Sequence, residues 1–273
     1  MSLSTLRPVL FSLLPLALGV GACVDDGADS GLTVLKAVPP DPGCTFTAGG
    51  DLFVASGLIE SDAGTGYLLA PELRNDITLA DGESATPKTV FVTGAHVTIT
   101  FYDDKLFDAD TQAQLETDGL TRFLAPMAGP VEPNAGTAVF PFQAVPGELI
   151  AKIDQALAHA PGAHTLLDVK LQFTGTRGGS DIESNVFHFP VEVCDDCVVS
   201  HLGACTDLSS TAVFGTGGAC NALQDGHLDC CTGVDPDELE VDCMDQPPPA
   251  GMHCSDGINE PPPDVCPAHQ IEL

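Results

Sequence analysis

The chain has 273 residues, with 39 Asp and Glu against 9 Lys and Arg, for a formal net charge of −30. A surface this negative repels phosphate backbones and excludes nucleic acid as a partner, while it serves solubility or attracts divalent cations or basic partners. With no Trp, two Tyr and 13 Phe, the core must rest on Val, Leu, Ile and Phe, which favour strands.

The first element reads as an export signal over residues 1–22. A short start carrying Arg7 precedes an apolar run from Val9 to Ala22, interrupted by Pro15. A membrane-spanning helix needs about 20 apolar residues, so this shorter run is too brief to span. The segment Val20-Gly21-Ala22-Cys23 resembles the lipobox of bacterial lipoprotein precursors, with Val20 where that motif usually has Leu. The resemblance implies acylation of the Cys23 thiol with palmitate-like chains and cleavage before it; ordinary cleavage to a soluble exported protein is the alternative. Removing 22 residues from 273 leaves 251, enough for one sizeable core or two smaller modules.

Residues 23–43, rich in Asp, Gly and Pro, read as a flexible acidic tether. From Cys44 to Cys194 the pattern is that of strands. Val97, Ile99 and Phe101 alternate with Thr98 and Thr100. Val169, Leu171 and Phe173 alternate with Asp168, Lys170 and Gln172, and Phe187, Phe189, Val191 and Val193 with His188, Pro190 and Glu192. Period-2 alternation buries one face and wets the other, as in antiparallel sheets. Further strands are expected near Thr45–Ile59, Gly66–Ile77, Thr89–Val92, Arg122–Ala125 and Thr137–Gln143. About seven short strands with Gly, Pro and Asp at their ends fit a two-sheet β-sandwich. Between Pro146 and His159 the period changes to that of one short helix, with Leu149, Ile150, Ile153 and Leu157 on one stripe. Gly178-Gly179 marks a hairpin connection with a somewhat long loop.

Residues 195–273 form a Cys-rich acidic tail. From Cys194 onward there are nine of the eleven cysteines and no Lys or Arg, with proline clusters at 247–249 and 261–263. Such a segment buries little core, so cross-links must hold it, with little regular structure. Setting Cys23 aside for lipid leaves an even ten thiols: Cys44, Cys194, Cys197, Cys205, Cys220, Cys230, Cys231, Cys243, Cys254 and Cys266. In an exported chain these are disulfide candidates. Cys44 stands alone at the opening of the first strand, so its partner is expected in the tail. Adjacent Cys230 and Cys231 most simply supply two separate bridges.

Three other chemistries compete for these side chains. Cys194, Cys197, His201 and Cys205 have the spacing C-x2-C-x3-H-x3-C, which would suit zinc in a reducing compartment. The same C-x-x-C fits a redox pair, although Asp195 and Asp196 would raise the thiol pKa values. Asp225, Asp229, Asp235 and Asp237 offer hard oxygen ligands for calcium without the EF-hand spacing, and a solvated acidic loop is the simpler explanation of them. No cofactor is implied. Catalytic motifs such as G-x-S-x-G or H-E-x-x-H are absent from the sequence. His96 and His188 fall on the polar faces of their strands, where an imidazole is rarely a general base.

The stretch from Ser184 and Asn185 through Phe187, Pro190, Cys194 and Cys197, taken with the lipobox, resembles a group of uncharacterised bacterial lipoproteins. These carry an Ig-like or fibronectin-like sandwich whose last strand ends in F-x-P-[VI]-x-V-C-x-x-C, followed by a Cys-rich tail. The resemblance implies a mainly β chain, with an antiparallel Ig-like β-sandwich, one short helix and a disulfide-rich irregular C-terminal region. It implies a cell-envelope location and no activity. Val24, in place of Asp after Cys23, points to the outer membrane. The expectation is a non-catalytic structural or binding protein, held to the membrane by its N-terminal lipid, with a protein or polysaccharide partner. A calcium-dependent adhesin-like module and a hydrolase with a spatially assembled site are the alternatives.

Overall fold

A computed structural model describes residues 30–103, 105–157, 162–204 and 215–232. The chain is mainly β, as expected. In order, its elements are β1 (Leu32–Ala37), β2 (Gly57–Glu60), β3 (Tyr67–Leu69), β4 (Pro71–Asn75), β5 (Val90–Phe101), α1 (Ala109–Thr117), β6 (Arg122–Val131), β7 (Gly136–Val139) and β8 (Phe142–Val145). They continue with α2 (Gly147–Leu157), β9 (His164–Arg177), β10 (Ser180–Glu183), β11 (Phe187–Cys194), β12 (Val199–Ala204) and β13 (Leu228–Thr232).

The largest sheet runs β2-β11-β9-β5-β6, with β10 paired to the end of β9; a second has the order β1-β4-β7. The long strands follow from alternation. In β9, Leu167, Val169, Leu171 and Phe173 are fully buried while Leu166 and Lys170 are exposed. Leu32, Val34 and Leu73 of the smaller sheet share one core with Val97, Leu171 and Val191 of the larger. Helix α2 closes that core with Leu149, Ile150 and Ile153, the stripe expected from its period.

Several expectations need correction. The middle of the expected tether is β1, whose Leu32, Val34 and Ala37 are buried. One edge of β1 is closed by a side chain: the Val34 N–H donates to Asn185 Oδ1 at 2.7 Å. Of the strand expected over Thr45–Ile59 only β2 forms. The loop before it is held by Glu72, which accepts the Gly49 N–H at 2.8 Å, and by Lys36, which donates to the Gly50 carbonyl. The strands expected at 89–92 and 97–101 are one strand, β5, with a bulge between Val92 and Gly94.

There are two helices among the described residues, not one, besides a 3-10 turn at Thr86–Lys88. Helix α1 buries only Leu115 and so has no apolar period to read; it is started by Asp108, whose carboxylate accepts the Thr111 N–H at 2.8 Å. Hydrogen bonding from Thr111, its side chain first and its N–H second, holds the Asp108 carboxyl below its ordinary value. The sheets are not purely antiparallel, since β2 runs parallel to β11 and β12 parallel to β13. The loop after β9 is shorter than expected. Gly178 and Gly179, with φ of 56° and 87°, make a two-residue turn between Arg177 and Ser180.

Candidate functional site

Two of the expected cross-links are formed. Cys44 is bonded to Cys220, with 4.7 Å between their Cα atoms, so its partner does lie in the tail. Cys44 sits in a turn with φ of 52° rather than at a strand opening. Cys194, at the buried end of β11, is bonded to Cys197, with 5.9 Å between Cα atoms. This bond uses two of the four ligands expected for zinc, and it closes the C-x-x-C as a disulfide. Cys230 and Cys231 fall within β13, but their side chains, like Cys23, Cys205, Cys243, Cys254, Cys266, Asp235 and Asp237, lie outside the described residues.

The two bridges bracket a segment that docks onto strand edges. Glu60, 1% exposed at the end of β2, accepts three consecutive backbone donors across the Cys194–Cys197 turn. Its Oε1 takes the Asp196 N–H at 2.7 Å, and its Oε2 takes those of Cys197 and Val198 at 3.1 and 3.0 Å. Asp196 reaches this position with φ of 58°. A buried carboxylate is costly unless its oxygens are satisfied, and here successive amides satisfy them. Glu60 was not singled out in the sequence, because nothing local distinguishes a buried acid among 39.

Beyond Cys220, the chain completes the edges of β2 and β3. The Asp225 N–H donates to the Leu58 carbonyl at 2.9 Å, and the Leu58 N–H donates to Asp225 Oδ1 at 2.7 Å. The Gln224 amide brackets the Leu68 backbone at 2.8 Å on both sides, accepting from its N–H and donating to its carbonyl. Side chains therefore stand in for a missing strand and protect two edges from outside pairing.

Asp225 Oδ2 also accepts the Tyr67 hydroxyl at 2.7 Å. Burial raises the Tyr67 phenol well above its ordinary value, and the neighbouring Asp225 charge adds to the effect. Because the folded value is raised, the associated stability is present below about pH 10, the unfolded value, and is lost as pH rises beyond it. Tyr67→Phe should lower stability by about 1.5–3 kcal/mol at pH 7 and remove the part of the alkaline decline due to this phenol. Urea unfolding at pH 7 and 10.5 checks both; an unchanged slope above pH 10 would refute the assignment.

Of the calcium candidates, Asp225 and Asp229 are not brought together. Asp229 accepts the Gly215 N–H at 2.6 Å and faces His227 Nε2 at 3.0 Å. Among the described residues no three His, Cys, Asp or Glu side chains gather into a metal-holding group.

The outer face of the larger sheet is the other surface with polar side chains in register. His188, Lys170, Thr98 and Arg122 line up across four strands, and Gln172, His96 and Leu124 form the next row. His188 Nδ1 lies 2.9 Å from Asp168 Oδ2. This acid–imidazole pair lies on an exposed strand face, and among the described residues no hydroxyl is hydrogen-bonded to His188 or to His227. No helix of the described residues is long and apolar enough to cross a membrane.

No protein-family model, curated protein or solved structure matches this chain.

Proposed function

We propose that this protein is a lipid-anchored component of the bacterial cell envelope, at the outer membrane, with a non-catalytic structural or binding role. In this reading the two larger sheets form an Ig-like β-sandwich, and the Cys-rich tail caps one of its ends. The observation that carries it is the pair of bridges, Cys44–Cys220 and Cys194–Cys197, in a chain whose residues Val20–Cys23 resemble a lipobox. Disulfides persist in oxidising compartments and not in the cytoplasm. With these two formed and Cys23 reserved for lipid, six thiols remain, for which there are 15 complete pairings.

A protein or polysaccharide partner would meet the loop closed by Cys44. Its tip exposes Leu52 and Phe53, 74% and 66% accessible, side by side after Gly49, Gly50 and Asp51. Mass spectrometry of the mature protein from its native cell, before and after reduction, tests the reading. The expected result is an N-terminal Cys23 carrying acyl mass and no free thiols; an unprocessed N-terminus with free thiols throughout would overturn it.

A further inference from the structure

The described residues beyond Val198 form a small unit of their own. Strands β12 and β13 pair in parallel, the Gly217 N–H donates to the His227 carbonyl at 2.9 Å, and Val199, Leu223 and Leu228 make a hydrophobic cluster apart from the main core. This unit meets the rest of the fold at a seam between β2 and β3, where a Cβ at Gly57 would collide with the Tyr67 ring. The Glu60 N–H donates to the Leu223 carbonyl at 3.0 Å and the Asp225 N–H to the Leu58 carbonyl at 2.9 Å. Residues Leu223–Asp225 are thus bonded to β2 as an antiparallel strand would be, across the Ile59–Gln224 bridge. On the other flank, the Gln224 side chain serves the Leu68 backbone and Asp225 accepts the Tyr67 hydroxyl.

The Cys44–Cys220 bridge fastens this unit over the seam. Cys44 is exposed and Cys220 half-buried, whereas Cys194 of the other bridge is buried, in a turn bonded to Glu60. Exposed disulfides are the ones that exchange readily with external thiols. The thiolate of a dithiol reductant attacks the Cys44 sulfur and expels the Cys220 thiolate. Its second thiol then closes onto the first and releases the Cys44 thiolate, so the reductant leaves oxidised to a disulfide and both cysteines remain as thiols. Once the bridge is open, Leu223–Asp225 is held by hydrogen bonds and by Leu223, the one apolar side chain of the three.

We propose that the Cys44–Cys220 bridge is a redox latch, and that opening it turns the β2–β3 seam into an acceptor for residues Leu223–Asp225 of a second copy of this chain. Displacing the segment frees the Leu58 N–H and carbonyl, the Glu60 N–H, the Leu68 N–H and carbonyl, and the Tyr67 hydroxyl at one place. Unpaired edges of this kind recruit strands. An ordinary strand would satisfy β2 alone. Gln224-Asp225 satisfies both flanks, its backbone reaching β2 and the Gln224 side chain reaching β3, so the same segment from another copy is the occupant that fits. Exchange of identical segments re-forms the same bonds between chains, and reoxidation then joins Cys44 of one copy to Cys220 of the other. The lipid anchor plays no part in this inference.

Mature protein made with light and with heavy nitrogen is mixed in equal amounts at high concentration, opened with limiting dithiothreitol and reoxidised. A dimer should appear on size exclusion, and about half of its Cys44–Cys220 peptides should join a light chain to a heavy one, the statistical share for exchange between copies. The Leu58 and Leu68 amides of that dimer should be as protected from hydrogen exchange as in the untreated monomer. Gln224→Ala, which leaves the bridge and so the closed fold in place, should cut the dimer yield at least several-fold by removing the Leu68 bonds. The proposal is overturned if Cys194–Cys197 opens first, if the opened chain unfolds, or if only like-isotope pairs form. Mixed pairs spread over the other cysteines, or a Gln224→Ala protein that dimerises as well as the parent, would equally overturn it.

Discussion

Replacing both Cys44 and Cys220 with Ser should destabilise the protein by about 4–5 kcal/mol, the largest effect expected of any pair in the described structure. The bridge joins residues 176 apart, and the loop-closure entropy returned to the unfolded chain grows with the logarithm of loop length. By the same relation the Cys194–Cys197 bridge, which closes a loop of only four residues, contributes about 2 kcal/mol. For a domain of this size the larger loss corresponds to a melting temperature lower by roughly 10–20 °C. Calorimetry of the two double variants gives the comparison. If the Cys194/Cys197 variant proved the less stable of the two, loop length would not be what governs these bridges. Loss of the Cys44 bridge should also loosen the edges of β2 and β3, because Gln224 and Asp225 hang from the segment that Cys220 anchors.

Glu60→Ala is expected to destabilise the protein by about 3–5 kcal/mol, because it takes the shared acceptor from the N–H groups of Asp196, Cys197 and Val198, the last of them buried, and empties the buried Glu60 site. Glu60→Gln keeps the shape and one acceptor oxygen, so about 1–2 kcal/mol is expected. The ordering of the two variants is the informative part. A role confined to packing would make Gln neutral, whereas a role as an anionic acceptor makes it intermediate. Urea unfolding gives the totals, and hydrogen exchange at residues 195–199 shows whether the loss begins at the turn. Changes below 0.5 kcal/mol in both variants would remove Glu60 from the structural account.

Much of the β architecture was legible because burial in a half-wet strand writes period 2 into the sequence, as in β9 and β11. The α2 stripe of Leu149, Ile150 and Ile153 was legible for the corresponding reason at period 3.6. Helix α1 was hidden because a surface helix that buries only Leu115 leaves no pattern to count. β1 was hidden inside a stretch rich in Gly, Pro and Asp, where Leu32, Val34, Ala37 and Val38 supply too short a buried run to stand out.

The chain's composition alone determined that it is strongly acidic, mainly β and rich in cysteines set toward one end. Local sequence was enough for this, since charge, strand period and thiol spacing are read along the chain. Tertiary structure alone decided that Cys44 meets Cys220 across 176 residues. It also decided that Glu60 cradles the Cys194–Cys197 turn, and that the entry of β1 and the docked tail lie at opposite ends of β9. Each of these depends on contacts between residues far apart in sequence, which only the closing of the sheets brings within bonding distance.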